Sequence, residues 1–375
     1  MDQVGGQNSM DRSMNIIISG GGTGGHLYPA LAIGDEIMVR HPLTNIHYVG
    51  STFGIEKEVL PVKNVNHSLL SIRGFQRSLN LGSIGKNLLL PGRLIASIGK
   101  MKSLFDYLQP DLVIGTGGYA CALPLREAIR KRVPTLIQEQ NSYPGVTTRW
   151  FADKADTVCI AFEETQSYIK KKCILAGNPV RKEIRLGHRE IGLSQFGFSP
   201  DKKTLFLFGG SQGSLALNQA MDQMIQSFYI SDTQVIWQTG KTHYGHYRHH
   251  ENELCKVRPF IEDMASAYAA SDLVLSRSGA ITCSELTICG KPSILIPFPA
   301  AAADHQTKNA LSLSEHGAAS LIPENDLIPE HTANLIQNML DQETQLKEMA
   351  DASLKLGKPN ATSEIVNHAM ELIQS

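Results

Sequence analysis

Several things are missing from this 375-residue chain, and each absence closes off a class of function. The six cysteines (Cys121, Cys159, Cys173, Cys255, Cys283 and Cys289) show no C-x-x-C spacing. Scattered thiols of this kind fit a reducing compartment and argue against a disulfide framework or a zinc site. Formal net charge is only −1, so no global field draws the chain to nucleic acid. Any attraction to anionic lipid must come from a local patch. The longest apolar region, NLLLPGRLIASIG at 87–99, is cut by Pro91, Gly92 and Arg93 and is too short to span a bilayer. Residues 1–13 are polar and carry no apolar signal core, so a disordered leader is expected, with Met10 or Met14 as alternative starts. No D-x-D pair occurs, so a nucleotide diphosphate held through a divalent metal would lack its usual carboxylates. No metal site and no cofactor are expected.

What the chain does have is 42% apolar residues and length enough for two cores. Short β-branched runs fall at 15–19, 45–50, 67–72, 111–117, 134–140 and 157–162, then at 204–210, 235–240, 255–260, 273–279, 292–298 and 318–323. Most are continuous rather than alternating, the pattern of parallel strands covered on both faces. Helical patterns lie between them. The reading is α/β: two Rossmann-like, doubly wound domains facing a cleft that would hold a ligand. Gly177 and Pro179 punctuate a linker, which divides the chain into 14–177 and 178–360. An amphipathic helix follows at 361–375, with Thr362 or Ser363 as its cap.

The two halves open alike, with IIISGGGTGGH at 16–26 and LFLFGGSQGS at 205–214, each a strand running into a glycine turn and a helix. Gly20, Gly22 and Gly25 satisfy G-x-G-x-x-G, but the second strand ends without the acid that a dinucleotide ribose needs; no Asp or Glu appears before Glu56. The mononucleotide phosphate loop needs Lys-Ser/Thr after its last glycine, and His26 stands there instead. The physical content of the turn survives both failures. Glycines let amides approach a ligand, and the helix end favours negative charge. A helix N-terminus disfavours imidazolium, which leaves His26 able to accept a proton; the bland alternative is a histidine in a structural turn. Ser211 places a hydroxyl in the second turn, or merely caps a helix. IGTGGYA at 114–120 is a third such turn.

In LSRSGAITCSEL at 275–286 a strand ends and a helix begins near Ala280, with Glu285 a little over one turn in. A carboxylate there can accept two hydrogen bonds from a ribose diol. Asp304, His305 and Gln306 cluster at another strand-to-helix turn, where Gln306 offers both donor and acceptor to sugar hydroxyls; a helix cap is the alternative. HYGHYRHH at 243–250 could put His246, His249 and His250 on one helix face, but without carboxylate or cysteine partners it reads as polar surface.

Taken in order, GGTGGHLYPALAI, GTGGYAC, EQNSYPG, AGNPVR, GGSQGS, FIEDMASAYAASDLVLSRSGAITCSEL and DHQTKNA resemble the MurG family from about Met14 to Ala310. These are bacterial transferases that move N-acetylglucosamine from UDP-N-acetylglucosamine to undecaprenyl-diphospho-muramoyl-pentapeptide. The resemblance implies the GT-B arrangement, with the last helix packing back on the first domain. It implies that Thr23, Gly24 and Gly25 face donor sugar and acceptor, and that Asn141 contacts the donor sugar. Arg181 and Ser211 would contact the nucleotide, and the Ile261 backbone would read uracil. Ala280, Ile281, Thr282, Cys283, Ser284 and Glu285 would underlie diphosphate and ribose, with Glu285 on the ribose hydroxyls. Gln306 would contact acetylglucosamine, and His26 would deprotonate the acceptor. Three positions depart from the family pattern: Ala303 where a second acid is common, Ala300 where an aromatic is common, and Thr148 where Asn is common.

A lipid-linked acceptor also implies an anionic membrane surface as partner, at the cytoplasmic face of the cell membrane. RGFQRSLNLGSIGKNLLLPGRLIASIGKMK at 73–102 supplies Arg73, Arg77, Lys86, Arg93, Lys100 and Lys102 and no acid, interleaved with Phe75, Leu79, Leu81, Leu88, Leu89 and Leu90. Such a segment can lie in the headgroup region, or its leucines can be core and its cations solvated. The rival readings are a same-fold transferase acting on another lipid such as diacylglycerol, a UDP-sugar epimerase, an NAD-dependent oxidoreductase and a non-catalytic nucleotide-binding module. The epimerase lacks its extra acids, and the oxidoreductase lacks the acid after the second strand.

Overall fold

A computed structural model of the protein describes residues 13–72 and 90–374. Residues 1–12 of the leader lie outside the described residues, as do Arg73, Phe75, Arg77, Leu79, Leu81, Lys86, Leu88 and Leu89 of the basic segment. The chain divides into two compact units. The first holds the chain up to Gln140, Pro144–Pro179 and the stretch from Asn360; the second holds Asn141–Tyr143 and Val180–Pro359.

The first unit is built on a parallel sheet of β1 (Asn15–Ser19), β2 (Asn45–Ser51), β3 (His67–Leu70), β4 (Leu112–Gly115), β5 (Thr135–Glu139), β6 (Thr157–Ile160) and β7 (Ile174–Leu175), in the order β3-β2-β1-β4-β5-β6-β7. The continuous apolar runs explain it. In β1, Ile16 and Ile18 face the helix Gly24–Arg40, while Ile17 faces Met101 and Phe105 of the helix Leu90–Leu108. Helices thus cover both faces, and a run without polar alternation is what two buried faces require. β7 has only two residues and follows three consecutive lysines, Lys170–Lys172, so no strand pattern announced it.

The second unit repeats the order with β8 (Thr204–Phe208), β9 (Gln234–Gln238), β10 (Cys255–Arg258), β11 (Leu273–Ser276), β12 (Ser293–Leu295) and β13 (Ser320–Leu321), arranged β10-β9-β8-β11-β12-β13. Leu205 and Leu207 join one core with Trp237 and Ile336. Phe206 and Phe208 stack at 4.7 Å on the other face, each set edge-on to Tyr268. The echo between the halves extends to a polar detail. Asp111 Oδ2 accepts the amide of Asn15 at 2.9 Å, and Asp272 Oδ2 accepts that of Thr204 at 2.8 Å, so in each unit an aspartate before the fourth strand ties down the start of the first.

The C-terminal helix, Ala361–Gln374, buries Ile365, Val366, Ala369 and Met370 in the first unit's core. The expected cap is corrected. The helix begins at Ala361, so Thr362 and Ser363 lie inside its first turn. Ser363 Oγ instead accepts from Arg40, whose guanidinium also donates to Asn367 Oδ1 at 2.6 Å and to Glu36 Oε1 at 2.8 Å.

Candidate functional site

In the first unit the glycine turns after β1 and β4 interlock. His26 is the third residue of the helix Gly24–Arg40 and is half-buried. Its Nδ1 lies 2.7 Å from Gln140 Oε1. Gln140 is buried, and its Nε2 donates to Gln138 O at 2.9 Å and to Gln138 Oε1. The amide end of Gln140 is therefore spent on Gln138, and only its oxygen can face the ring. An oxygen can only accept, so the proton of the neutral imidazole sits on Nδ1 and Nε2 keeps its lone pair. Thr116 Oγ1 donates to His26 O at 2.8 Å and holds the helix start. Gly117 and Gly118 are obligatory beside it. Both have positive φ, and a Cβ at Gly117 would stand 2.7 Å from His26 Nδ1, while one at Gly118 would stand 2.1 Å from Gly21 O. Thr23 and Gly25 are exposed and Gly24 half-buried at this same helix start, and Thr23 makes no side-chain cap bond.

Thr148 also finds its partner here. It is buried, and its Oγ1 donates at 2.5 Å to Glu139 Oε2, which accepts Gly145 N at 3.0 Å as well. Neither Gln140 nor Glu139 carried a sequence signal beyond its place beside Asn141.

In the second unit the glycine loop after β8 and the helices Leu215–Gln226 and Ala280–Cys289 open onto a cavity of about 570 Å³. Gly210, Gly213, Leu215, Gly279, Thr282 and Gln306 line it, so two helix N-termini and a polar side chain meet there. That lining suits an anion, because amides and helix dipoles both favour negative charge. Arg277 lines it too, and sequence reasoning had passed it over. Its guanidinium donates to Ile296 O at 3.1 Å, Pro297 O at 3.0 Å and Ser214 Oγ at 2.8 Å, pairs with Glu324, and lies over the Phe298 ring. The arginine thus ties the loop to the next strand end. Ser214, not Ser211, caps the following helix, its Oγ accepting from Leu217 N. Ser211 is exposed on the turn and is not among the lining residues.

Along the helix Ala280–Cys289 the expected residues divide. Thr282 faces the cavity and Ile281 is half-buried. Cys283 is fully buried, its thiol pushed up to about 12, which rules it out as a nucleophile. Ser284 Oγ bonds back to Ala280 O. Glu285 is buried; Tyr268 donates to its Oε2 at 3.0 Å, and Arg181 stands 3.8 Å from its Oε1. Burial pushes the Glu285 carboxyl above the usual carboxylate range, and the Arg181 guanidinium and the Tyr268 hydroxyl pull it back.

Three positions differ in detail from expectation. Gln306 Oε1 already accepts Phe298 N at 2.9 Å, which leaves Nε2 as its free function toward a sugar. The Ile261 amide, half of the backbone expected at the base, already donates to Gln238 Oε1 at 2.8 Å. Asp304 stands at the N-cap of His305–Ser314, yet its carboxylate accepts from Thr307 Oγ1 at 2.6 Å rather than from an amide. Ala303 and Asp304 both have left-handed φ, which costs about 1–2 kcal/mol per residue. Asn141 accepts from Asn309 Nδ2 at 3.3 Å, and Asn309 Oδ1 receives Ser142 N and Oγ, so within the second unit buried Asn309 joins Asn141 and Ser142 to the helix that carries Gln306.

Two other places were weighed. The histidine-rich stretch is not a single helix face: the helix ends at Tyr247, and a 3₁₀ turn holds Arg248–His250. It does have a carboxylate partner, since His250 Nε2 lies 2.6 Å from Asp222 Oδ1. His249 stands with this pair: one ligand atom from each of Asp222, His249 and His250 lies within 4.8 Å of the others. A cavity of about 600 Å³ lies where Lys203, Asp272 and Pro292 begin their strands, far from the glycine loop in this sheet. Its cations are engaged: Arg189 with Asp272, Lys203 with Glu343, and Lys291 with Ser271 O, its ammonium pushed down to about 8 by burial.

Comparison with known proteins agrees along the whole chain. Residues 16–160 match the glycosyltransferase family 28 N-terminal domain, and residues 204–365 match the C-terminal domain. The chain is 40% identical over 369 residues to the UDP-N-acetylglucosamine–N-acetylmuramyl-(pentapeptide) pyrophosphoryl-undecaprenol N-acetylglucosamine transferase of Christiangramia forsetii, spanning 98% of this chain and 100% of that one. It is 37% identical over 368 residues to the transferase of the same name from Bacillus subtilis, spanning 96% and 99%. Among solved structures, Acinetobacter baumannii MurG superposes with a TM-score of 0.78 at 24% identity, covering 96% of this chain and all of that one. The S. aureus MnaA–UDP co-structure gives 0.65 at 15% identity, over 96% and 98% of the two chains, so the fold is shared more widely than the sequence.

The Gln140 geometry makes a prediction that needs no substrate. Nitrogen-15 NMR of the imidazole should show His26 as the Nδ1–H tautomer, and Gln140→Leu should shift the population toward Nε2–H. An Nε2–H signal in the unaltered protein would refute the assignment.

Proposed function

Since the chain belongs to the MurG family, within glycosyltransferase family 28, we infer that it transfers N-acetylglucosamine from UDP-N-acetylglucosamine to the C4 hydroxyl of undecaprenyl-diphospho-N-acetylmuramoyl-pentapeptide, a step of peptidoglycan synthesis. The observation that carries the residue assignment is His26, whose Nε2 lone pair is kept available by Gln140. In the proposed step that nitrogen takes the acceptor's hydroxyl proton as the oxygen bonds to the anomeric carbon from the face opposite UDP. The bond from that carbon to the diphosphate breaks, and UDP leaves with the electron pair. The helix ends at Leu215 and Ala280 stabilise the departing charge, aided by the loop that Arg277 holds. Inversion at the anomeric carbon gives a β-1,4 link.

On this reading the second unit binds the donor: Gln306 through Nε2 to acetylglucosamine, Glu285 to the ribose with Arg181 alongside, and the Ile261 carbonyl to uracil. Ala280 to Ser284 underlie the diphosphate, with Ser211 at the nucleotide. Thr23, Gly24 and Gly25 receive the acceptor, and Asn141 the donor sugar. The enzyme works peripherally at the cytoplasmic face of the membrane. No helix among the described residues is long and apolar enough to cross a bilayer. Leu94 and Ile95 are exposed beside Arg93, Lys100 and Lys102 on the helix Leu90–Leu108, which supports a docking patch there. Arg93 also lies over the Phe53 ring, and Lys100 donates to Leu69 O.

Three outcomes test this. UDP should be released with the lipid-linked muramoyl acceptor and not with a diacylglycerol, and His26→Ala should cut that turnover roughly 100- to 10,000-fold while sparing UDP affinity. Turnover with diacylglycerol alone would instead favour the other lipid acceptor. The donor KM should rise as pH falls through the raised pKa of Glu285, because only the ionised carboxylate accepts both ribose hydroxyls. Glu285→Gln should show a high KM without that dependence, and an unchanged KM would remove the ribose role. Finally, Leu94→Gln with Ile95→Gln and Arg93→Glu should reduce sedimentation with anionic vesicles and leave donor affinity intact; wild-type sedimentation would place the docking surface elsewhere.

A further inference from the structure

The place where a Rossmann-type glycine loop receives a phosphate is already occupied in the first unit, by a side chain of the protein. Glu56 begins the short helix Glu56–Val62, a few residues past the end of β2, and is 0% exposed. It turns back onto the loop that follows β1. The Gly22 amide donates to its Oε1 at 3.0 Å and its Oε2 at 2.9 Å, and the Ser51 amide donates to Oε1 at 2.8 Å. The surrounding chain is trimmed to make room. A Cβ at Gly21 would stand 2.1 Å from Oε1, one at Gly54 2.2 Å from Oε2, and one at Gly50 2.4 Å from Cγ. Three glycines, one in β2 and two on the loops after β1 and β2, are thus shaped around one carboxylate, and that carboxylate sits just before the N-terminus of the 17-residue helix Gly24–Arg40. A helix end and a glycine loop with inward-pointing amides form the usual anion cradle of this fold.

We propose that Glu56 is a built-in anion that fills the phosphate cradle of the first unit, excludes a nucleotide diphosphate from it, and positions His26. The contrast with the second unit supports the exclusion. There the matching loop lines an open cavity, and among the described residues no carboxylate accepts from the amides of Gly209–Gly213; Arg277 tethers that loop instead. One glycine loop thus already holds a carboxylate and the other opens onto a cavity, so a nucleotide diphosphate has only the second to bind. The positioning follows from the packing. Gly22 is pinned by Glu56, Gly21 donates to Gly117 O at 3.3 Å, Gly118 fits beneath Gly21 O, and Gly117 abuts the His26 ring. Loss of the carboxylate frees the loop that sets the far side of the imidazole.

The positioning role rests on His26 being the base; the anion role does not, and the test separates them. Glu56→Ala should leave the Gly22 and Ser51 amides facing an empty cradle. Formate and inorganic phosphate, titrated separately, should then raise the Tm of this variant with concentration, while the same additions leave the wild type unmoved. Formate should also restore part of its lost kcat. Glu56→Gln keeps the shape but offers one acceptor oxygen and turns a donor toward the loop amides. It should lower kcat about tenfold or more with the donor KM within about twofold of wild type, as expected when only transition-state alignment is lost. An anion response in Glu56→Ala no larger than in wild type overturns the cradle assignment, and wild-type kcat in Glu56→Gln overturns the positioning role. Should Glu56→Ala fail to fold, formate titration of Glu56→Gln, which lacks room for the ion, is expected to give no shift, and its kcat decides. If the wild type fails to turn over the muramoyl acceptor, the functional reading falls while the Tm response of Glu56→Ala still judges the cradle.

Discussion

A parallel sheet covered by helices on both faces leaves its polar chemistry one place to go, the carboxyl ends of its strands. Everything else in this protein follows from that constraint. The central strands are buried along almost their whole length, as in NIIIS, LVIG, TLFLF and LVLS, with their apolar side chains packed into the cores on both faces. His26 and Gln140 stand just past β1 and β5, the loop Gly209–Gly213 just past β8, and the helix carrying Glu285 just past β11. The amides and hydroxyls that recognise or activate a substrate are gathered there because nowhere else on such a unit can a polar group be both held rigidly and reached.

The two units use the same device toward different ends. Each begins with a strand, a glycine turn and a helix, and each ties its first strand with an aspartate placed before the fourth. In the second unit the turn is left open and braced from behind by Arg277, which suits an anionic leaving group. In the first it is closed by the carboxylate of Glu56, and the His26 imidazole beside it is oriented by Gln140. On the proposed reading a transfer reaction needs both kinds of place, one that welcomes negative charge and one that accepts a proton, and the duplicated architecture offers a candidate for each.

Much of the scaffold was legible in the residues. Twelve apolar runs became twelve of the strands, because a strand buried on both faces has no alternative composition; β7 escaped because two residues beside a lysine run carry no period. The C-terminal helix showed its apolar stripe, but not its start, because Ser363 serves Arg40 from within the first turn rather than capping it. Of the proposed site, only residues that stand out from their neighbours were legible. A histidine after five glycines and a glutamate inside a helix after Ser-Arg-Ser-Gly stand out. Gln140, Tyr268 and Arg277 do not, since their work is to hold another residue and that partner lies far away in sequence. Glu56 is the sharpest case. Along the chain it marks only the lateness of the first acid after the second strand, an argument against a dinucleotide; in space it is the acid that occupies the loop.

By itself, then, the sequence determined the fold class, the two glycine-turn units and the family, because burial periodicity, turn residues and ordered motifs are local properties written in consecutive positions. Only the tertiary structure decided which nitrogen of His26 faces Gln140, which end of the Gln306 amide is already spent, and which of the two glycine loops already holds a carboxylate. For Glu56 and His26 these are hydrogen bonds that span 34 and 114 residues of chain, and bonds of that span leave no pattern in the order of the amino acids.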